Sequence, residues 1–126
     1  MSAPAEPIIR VEDVTIAYGD RVVLSGVSFE VRRGEVFVIL GGSGCGKSSL
    51  LKHLIGLRRP REGRILIDGR DVTAAEGAER RAILRSFGVM YQSGALFGSL
   101  TVHENVRLPL DELTDLAEGQ KNALAL

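Results

Sequence analysis

GGSGCGKSS, residues 41–49, sets four glycines, three serines, one cysteine and one lysine between two apolar stretches. Gly41, Gly46, Lys47 and Ser48 satisfy G-x-x-x-x-G-K-[ST], the spacing of a phosphate-binding loop. That chemistry needs bare backbone. The chain must curl through φ values closed to most residues and bring its N–H groups within reach of phosphate oxygens, an approach that side chains would block. Gly42, Ser43, Gly44, Cys45 and Ser49 complete the cradle. In this reading Lys47 reaches the β- and γ-phosphates and Ser48 offers a hydroxyl to Mg²⁺.

The flanks decide between this reading and a flexible Gly/Ser connector that happens to match. Upstream, VFVIL (36–40) has no polar alternation, as expected of a central parallel strand covered on both faces. Downstream, Leu50, Leu51, Leu54 and Ile55 recur at helical spacing, with Lys52 and His53 expected to face outward. A helix beginning near Lys47 adds unsatisfied N-terminal N–H groups and the positive end of its dipole. Connectors rarely sit in such a strand, loop and helix order.

Further upstream, IIRVEDVTIAY and VVLSGVSFEVRRG are rich in β-branched residues, and Val27, Phe29 and Val31 alternate with Ser28, Glu30 and Arg32. Turn chemistry at Tyr18, Gly19 and Asp20 predicts an antiparallel pair. RILIDG (64–69) ends an apolar run in an aspartate, superficially a second Mg²⁺-holding carboxylate. Its Asp68-Gly69 pair is a turn signal and no further carboxylate follows, so Asp68 reads as structural. Residues 71–87 predict a loop and a solvated helix with apolar Ile83, Leu84 and Phe87, its Arg80, Arg81 and Arg85 forming a wet face. A short strand, GVMY, should follow and end at Gln92. Thr101 and Glu104 fit a capping box, predicting a helix that stops before Pro109. TDLAEGQKNALAL starts another helical pattern with no terminating glycine or proline, as expected of an element cut short.

Composition sets the outer limits. A chain of 126 residues with 44% hydrophobic content matches one globular domain. Sixteen basic and sixteen acidic side chains cancel, so no net field draws the chain to nucleic acid or an anionic membrane. The one cysteine forms no internal disulfide, and MSAPAEP has neither the cationic head nor the apolar stretch of a secretory signal, so a reducing cytosol is expected. VFVIL is far short of the ~20 residues of a membrane-spanning helix. Cys45 reads as a small filler in the loop rather than a reactive thiol. His53 and His103, with one cysteine and no ligand spacing, build no zinc site and read as solvated.

VTIAYGDRVVLSGVSFEVRRGE, GGSGCGKSSLLKHLIGL, EGRILIDG and MYQSGALFGSLTVHENV together resemble the ATP-binding subunit of ABC transporters over nearly the whole chain. The stretch QSGALFGSLTVHENV is most similar to the ATPase of bacterial phospholipid-trafficking importers that maintain outer-membrane lipid asymmetry. The resemblance implies an α/β fold, a P-loop NTPase of ABC type. It would have an N-terminal antiparallel β part (1–35), an incomplete parallel-sheet core to the glutamine loop (36–93) and the start of a helical subdomain (94–126). It implies ATP and Mg²⁺ as cofactors and Tyr18 as the aromatic platform for adenine, although a Tyr beside a turn is by itself as readily plain surface. It implies that Gln92 touches Mg²⁺ and the attacking water, making Lys47 and Gln92 the catalytic residues and Ser48 and Gln92 the metal ligands. A transmembrane permease subunit and a second ATP-binding subunit are the implied partners, at the inner face of the cell membrane and with no nucleic acid. Leu96 and Phe97 belong either to the surface facing the permease or beneath the helical subdomain.

Residues 1–126 contain no LSGGQ-type signature, no aspartate-ending strand with its catalytic glutamate and no switch histidine. The expectation is therefore nucleotide binding without turnover by this chain, and an exposed edge along VFVIL. Two other readings stay in view. One is a non-catalytic module that only occupies the membrane partner. The other is a different P-loop NTPase such as a GTPase or small-molecule kinase, against which stand the absence of an N-K-x-D base-reading motif and the upstream Tyr18.

Overall fold

The computed structural model describes residues 6–126. The first five residues, part of the stretch read above as lacking a secretory signal, lie outside the described residues. The chain forms two compact units, divided after Val89.

In the first unit, β1 (Ile9–Tyr18) and β2 (Arg21–Val31) pair antiparallel across a two-residue turn, with Tyr18 opposite Arg21. Gly19 adopts φ 59° there, the left-handed conformation that the turn chemistry anticipated. β3 (Glu62–Ile67) pairs with the other edge of β1, and β4 (Arg70–Asp71) closes a hairpin, giving the sheet order β2-β1-β3-β4. Asp68 and Gly69 both take positive φ, 51° and 73°, as a type I′ hairpin requires, so Asp68 is the structural turn residue that the sequence indicated. Its carboxylate also accepts a hydrogen bond from Arg33 at 2.6 Å.

One sheet face packs against α1 (Lys47–Leu54) and α2 (Gly77–Leu84), burying Val11, Val14, Ile16, Leu50, Ile65, Ile67, Val72 and Ile83. α1 ends at Gly56, whose φ of 74° leaves no room for a side chain beside Leu84. Arg80 departs from the expected wet face. Its guanidinium donates to the carbonyls of Val72, at 2.7 Å, and Gly56, tying the end of α1 to α2. Neither carbonyl has a backbone donor among the described residues, so the partly buried arginine supplies one to each.

The parallel half of the predicted core has no ladder. Residues 36–40 form no strand and have no ladder partner among the described residues, and Val36 and Leu40 are 89% and 86% exposed. Residues 88–91 are likewise unpaired. A parallel strand gets its hydrogen bonds only from a neighbour brought in by a crossover, and no described residue supplies one. Phe37 stacks on Phe29 of β2 with ring centroids 5.1 Å apart.

In the second unit, α3 (Val102–Leu113) begins with the predicted capping box: Thr101 accepts from the Glu104 N–H and the Glu104 carboxylate accepts from the Thr101 N–H. The helix continues through Pro109, against expectation. α4 (Glu118–Leu124) packs on it, with Arg107 binding Asp111, Glu118 and Asn122 while Lys121 pairs with Asp111 at 3.3 Å. Proline removes one backbone hydrogen bond from the ladder, and the helix passes through it with these ties on the following turn and on α4. α4 runs to Leu124, with the Ala125 N–H donating to the Lys121 carbonyl at 3.1 Å.

Candidate functional site

The loop 41–49 lies in the first unit and leads into α1. Gly44 and Gly46 take φ values of 80° and 99°, and a Cβ on Gly46 would press to 3.0 Å against Val23 and Leu24 of β2. A Cβ on Gly41 would come within 2.5 Å of Cys45 Sγ. Gly46 is thus required by its left-handed backbone and crowded by β2, whereas at Gly41 the one close atom is the Cys45 thiol.

α1 starts without a side-chain cap and without an acidic residue in its first turn. The N–H groups of Gly46, Lys47, Ser48 and Ser49 have no acceptor among the described residues, whereas Leu50 N–H donates to Gly46 O at 2.8 Å. Four amides with no partner, at the positive end of a helix dipole, favour an anion. Lys47 folds back over the loop, donating to the carbonyls of Gly41 and, at 2.8 Å, Gly42, with Cys45 Sγ at 3.5 Å. A phosphate would draw that ammonium off the carbonyls. Ser48 is exposed beside it. These residues fit a nucleotide phosphate tail. Among the described residues no group of three His, Cys, Asp or Glu side chains could hold a metal, so a Mg²⁺ at Ser48 would take most of its oxygens from phosphate and water.

Tyr18 reaches the same helix from the end of β1. Its hydroxyl donates to Ser49 Oγ at 3.2 Å, and Arg58 lies 5.3 Å from its ring centroid. The structure therefore brings Tyr18 and the loop together. Gln92 lies near the start of the second unit as an exposed turn residue, and Leu96 and Phe97, 70% and 59% exposed, follow it in the chain.

His53 corrects the sequence reading. It is 3% exposed rather than solvated, with Nδ1 2.7 Å from Ser49 O and its ring edge-on to Tyr18. The inward face of α1 runs through Leu50 and His53, one helical turn apart, while Leu51, expected inside, is 42% exposed. The i, i+3 spacing from Leu50 was the available signal. His103 is exposed, as expected, near Asn122.

Loop, helix and antiparallel subdomain define an α/β phosphate-loop fold. A model of the ABC transporter family matches residues 24–126. The chain is 43% identical over 117 residues to "Probable ribonucleotide transport ATP-binding protein mkl" of Mycobacterium leprae, covering 93% of this chain and 34% of that protein. It is 40% identical to the methionine import ATP-binding protein MetN of Rhizobium johnstonii, covering 95% of this chain and 33% of that protein. It is 37% identical to the intermembrane phospholipid transport system ATP-binding protein MlaF of Haemophilus influenzae, covering 89% and 42%. Among solved structures, the dimeric ATP-binding cassette MJ0796 in a post-hydrolysis state with ADP and Pi superposes with a TM-score of 0.82 at 30% identity, over 93% of this chain and 53% of that one. The chain belongs to the ABC transporter family, among its ATP-binding subunits. It spans about a third of the length of the first two of these relatives.

Proposed function

We propose that this chain binds Mg-ATP through the loop 41–49, as the nucleotide-binding part of an ABC transporter ATPase that in complete form hydrolyses ATP to power transport. The observation that carries this is the row of four partnerless amides, from Gly46 to Ser49, under the Lys47 ammonium. Tyr18 takes the adenine, Lys47 the β- and γ-phosphates and Ser48 the Mg²⁺. For Gln92, contact with Mg²⁺ and the attacking water rests on the family resemblance alone. Residues 1–126 would act as one ATP-binding unit, divided at 35 and 93 as the resemblance implies.

Partners are a membrane permease and a second ATP-binding subunit, in keeping with the dimeric MJ0796 cassette and with cbiO1 of Clostridium perfringens, described as part of the complex cbiONQ. No helix among the described residues is long and apolar enough to cross a membrane. Placement at the inner face of the cell membrane would then come through the permease. For cargo we propose lipid, on the likeness of residues 92–106 to the phospholipid-trafficking ATPases. The relatives' names print ribonucleotide, methionine and phospholipid at similar identity, so that choice rests on one loop.

The catalytic glutamate that the family resemblance implies is not found in residues 1–126, and such a water-activating group is typically worth about 10²–10⁴-fold in rate, so we expect no turnover by them. Calorimetry should show Mg-ATP binding that Lys47→Ala abolishes, and phosphate release by the 126-residue chain should not exceed that of Lys47→Ala. Unchanged affinity in Lys47→Ala would refute the loop assignment, and clear excess release would refute the lack of turnover. ATP competing no better than GTP would favour a different phosphate-loop class.

A further inference from the structure

Tyr18 ends a strand at the surface, 37% exposed, yet its ring is held at three points. The hydroxyl donates to Ser49 Oγ at 3.2 Å. The ring edge meets His53, with centroids 6.5 Å apart and planes 65° from parallel. One face lies under the Arg58 guanidinium, 5.3 Å from the centroid.

His53 is the buried member of this group. A buried imidazole must find a hydrogen-bond partner, and a carbonyl accepts only from a protonated nitrogen. The 2.7 Å approach to Ser49 O therefore places the proton on Nδ1 and fixes the ring plane. An edge-on ring is a favourable aromatic geometry, and the guanidinium over the face adds a cation–π attraction. Ser49 joins the two ends, because its carbonyl receives His53 and its hydroxyl receives Tyr18. Through this residue the ring of Tyr18 is indexed to the first turn of α1, the same turn that carries the partnerless amides.

We propose that His53 and Arg58 are positioning residues that lock the Tyr18 ring for stacking on a planar nucleobase, at a fixed distance from the phosphate loop. The inference rests on the nucleotide-binding reading above. A ring already ordered loses little entropy on stacking, so removing either support weakens capture of the base and leaves capture of the phosphates alone.

The test is calorimetry of the 126-residue chain with two ligands, Mg-ATP and Mg-tripolyphosphate. His53→Ala should weaken Mg-ATP binding roughly fivefold and Arg58→Ala roughly threefold, with tripolyphosphate affinity unchanged in both. In a Tyr18→Ala background neither substitution should alter ATP affinity further, since the ring they position is gone. Equal losses with both ligands, no loss with ATP, or full effects that persist without Tyr18 would each overturn the proposal. Arg58 is exposed, so if His53→Ala disrupts α1 the Arg58→Ala series decides the matter alone. A wild-type chain that binds tripolyphosphate but not ATP more tightly removes this inference only, whereas one that binds neither removes the phosphate-loop reading with it.

Discussion

Replacing Gly63 with alanine tests how the sheet that delivers Tyr18 is built. Gly63 lies in β3 beside the register shift of β1 between Glu12 and Thr15, where Asp13 takes φ 47°. A methyl group at Gly63 would lie 2.6 Å from the carbonyl carbon of Asp13 and press on the carbonyl oxygens of Glu12 and Asp13, all backbone atoms in a paired strand. The φ of 80° adds left-handed strain of about 1–2 kcal/mol for any residue with a Cβ. Forcing packed strands apart adds about 1–3 kcal/mol. Gly19 is the internal control, since its φ of 59° imposes the same conformational cost while nothing lies within 4 Å of its would-be Cβ. Gly63→Ala should therefore be the more destabilising by about 1–3 kcal/mol. With a urea dependence of roughly 1–3 kcal/mol per molar, that is a gap of order 1 M between the two midpoints, read by far-ultraviolet circular dichroism. Coincident midpoints would refute the claim that backbone crowding at the β1 bulge demands glycine.

Two further outcomes follow from the same structure. The Arg64 hydrogen bond holds the Glu12 carboxyl below its ordinary range, aided by the charges of Arg64 and Arg10 against the opposing effect of desolvation. A folded-state value below the unfolded one means that the pair's contribution is complete above about pH 4.3 and fades as pH falls through the folded value. The urea-midpoint difference between wild type and Glu12→Gln should accordingly shrink from pH 7 to pH 3, and a constant difference would contradict the pairing. Thr101→Ala should cost about 1 kcal/mol at the start of α3 and speed hydrogen exchange at the Glu104 amide by roughly fivefold. An unchanged exchange rate there would show that the capping box does not hold that turn.

What was legible in the sequence was local. The β1–β2 hairpin follows from alternation and turn residues within a few positions of one another, and the Asp68-Gly69 turn from two residues alone. The loop 41–49 announced itself because its glycines answer to the immediate backbone, with Gly46 against Val23 and Leu24 as the one distant constraint. Errors came where distant partners decide. VFVIL is a good strand sequence, but a parallel ladder depends on neighbours remote in the chain, and none of the described residues provides them. Pro109 is a sound stop signal by local rules, yet α3 continues through it to Leu113 while α4 packs alongside. Polarity alone places His53 and Arg80 in solvent, yet His53 packs inward beside Leu50 with Nδ1 on Ser49 O, and Arg80 caps the carbonyls of Gly56 and Val72. The helical spacing of both residues is visible in the sequence, whereas the elements packed against them are not.

The central claim is that the backbone amides opening α1 hold a phosphate tail, and amide chemical shifts report on it atom by atom. On titration of the ¹⁵N-labelled chain with Mg-ATP, the amide resonances of Gly46, Lys47, Ser48 and Ser49 should move most and should saturate together. Perturbations concentrated elsewhere, with those four resonances unmoved at saturating nucleotide, would contradict the account.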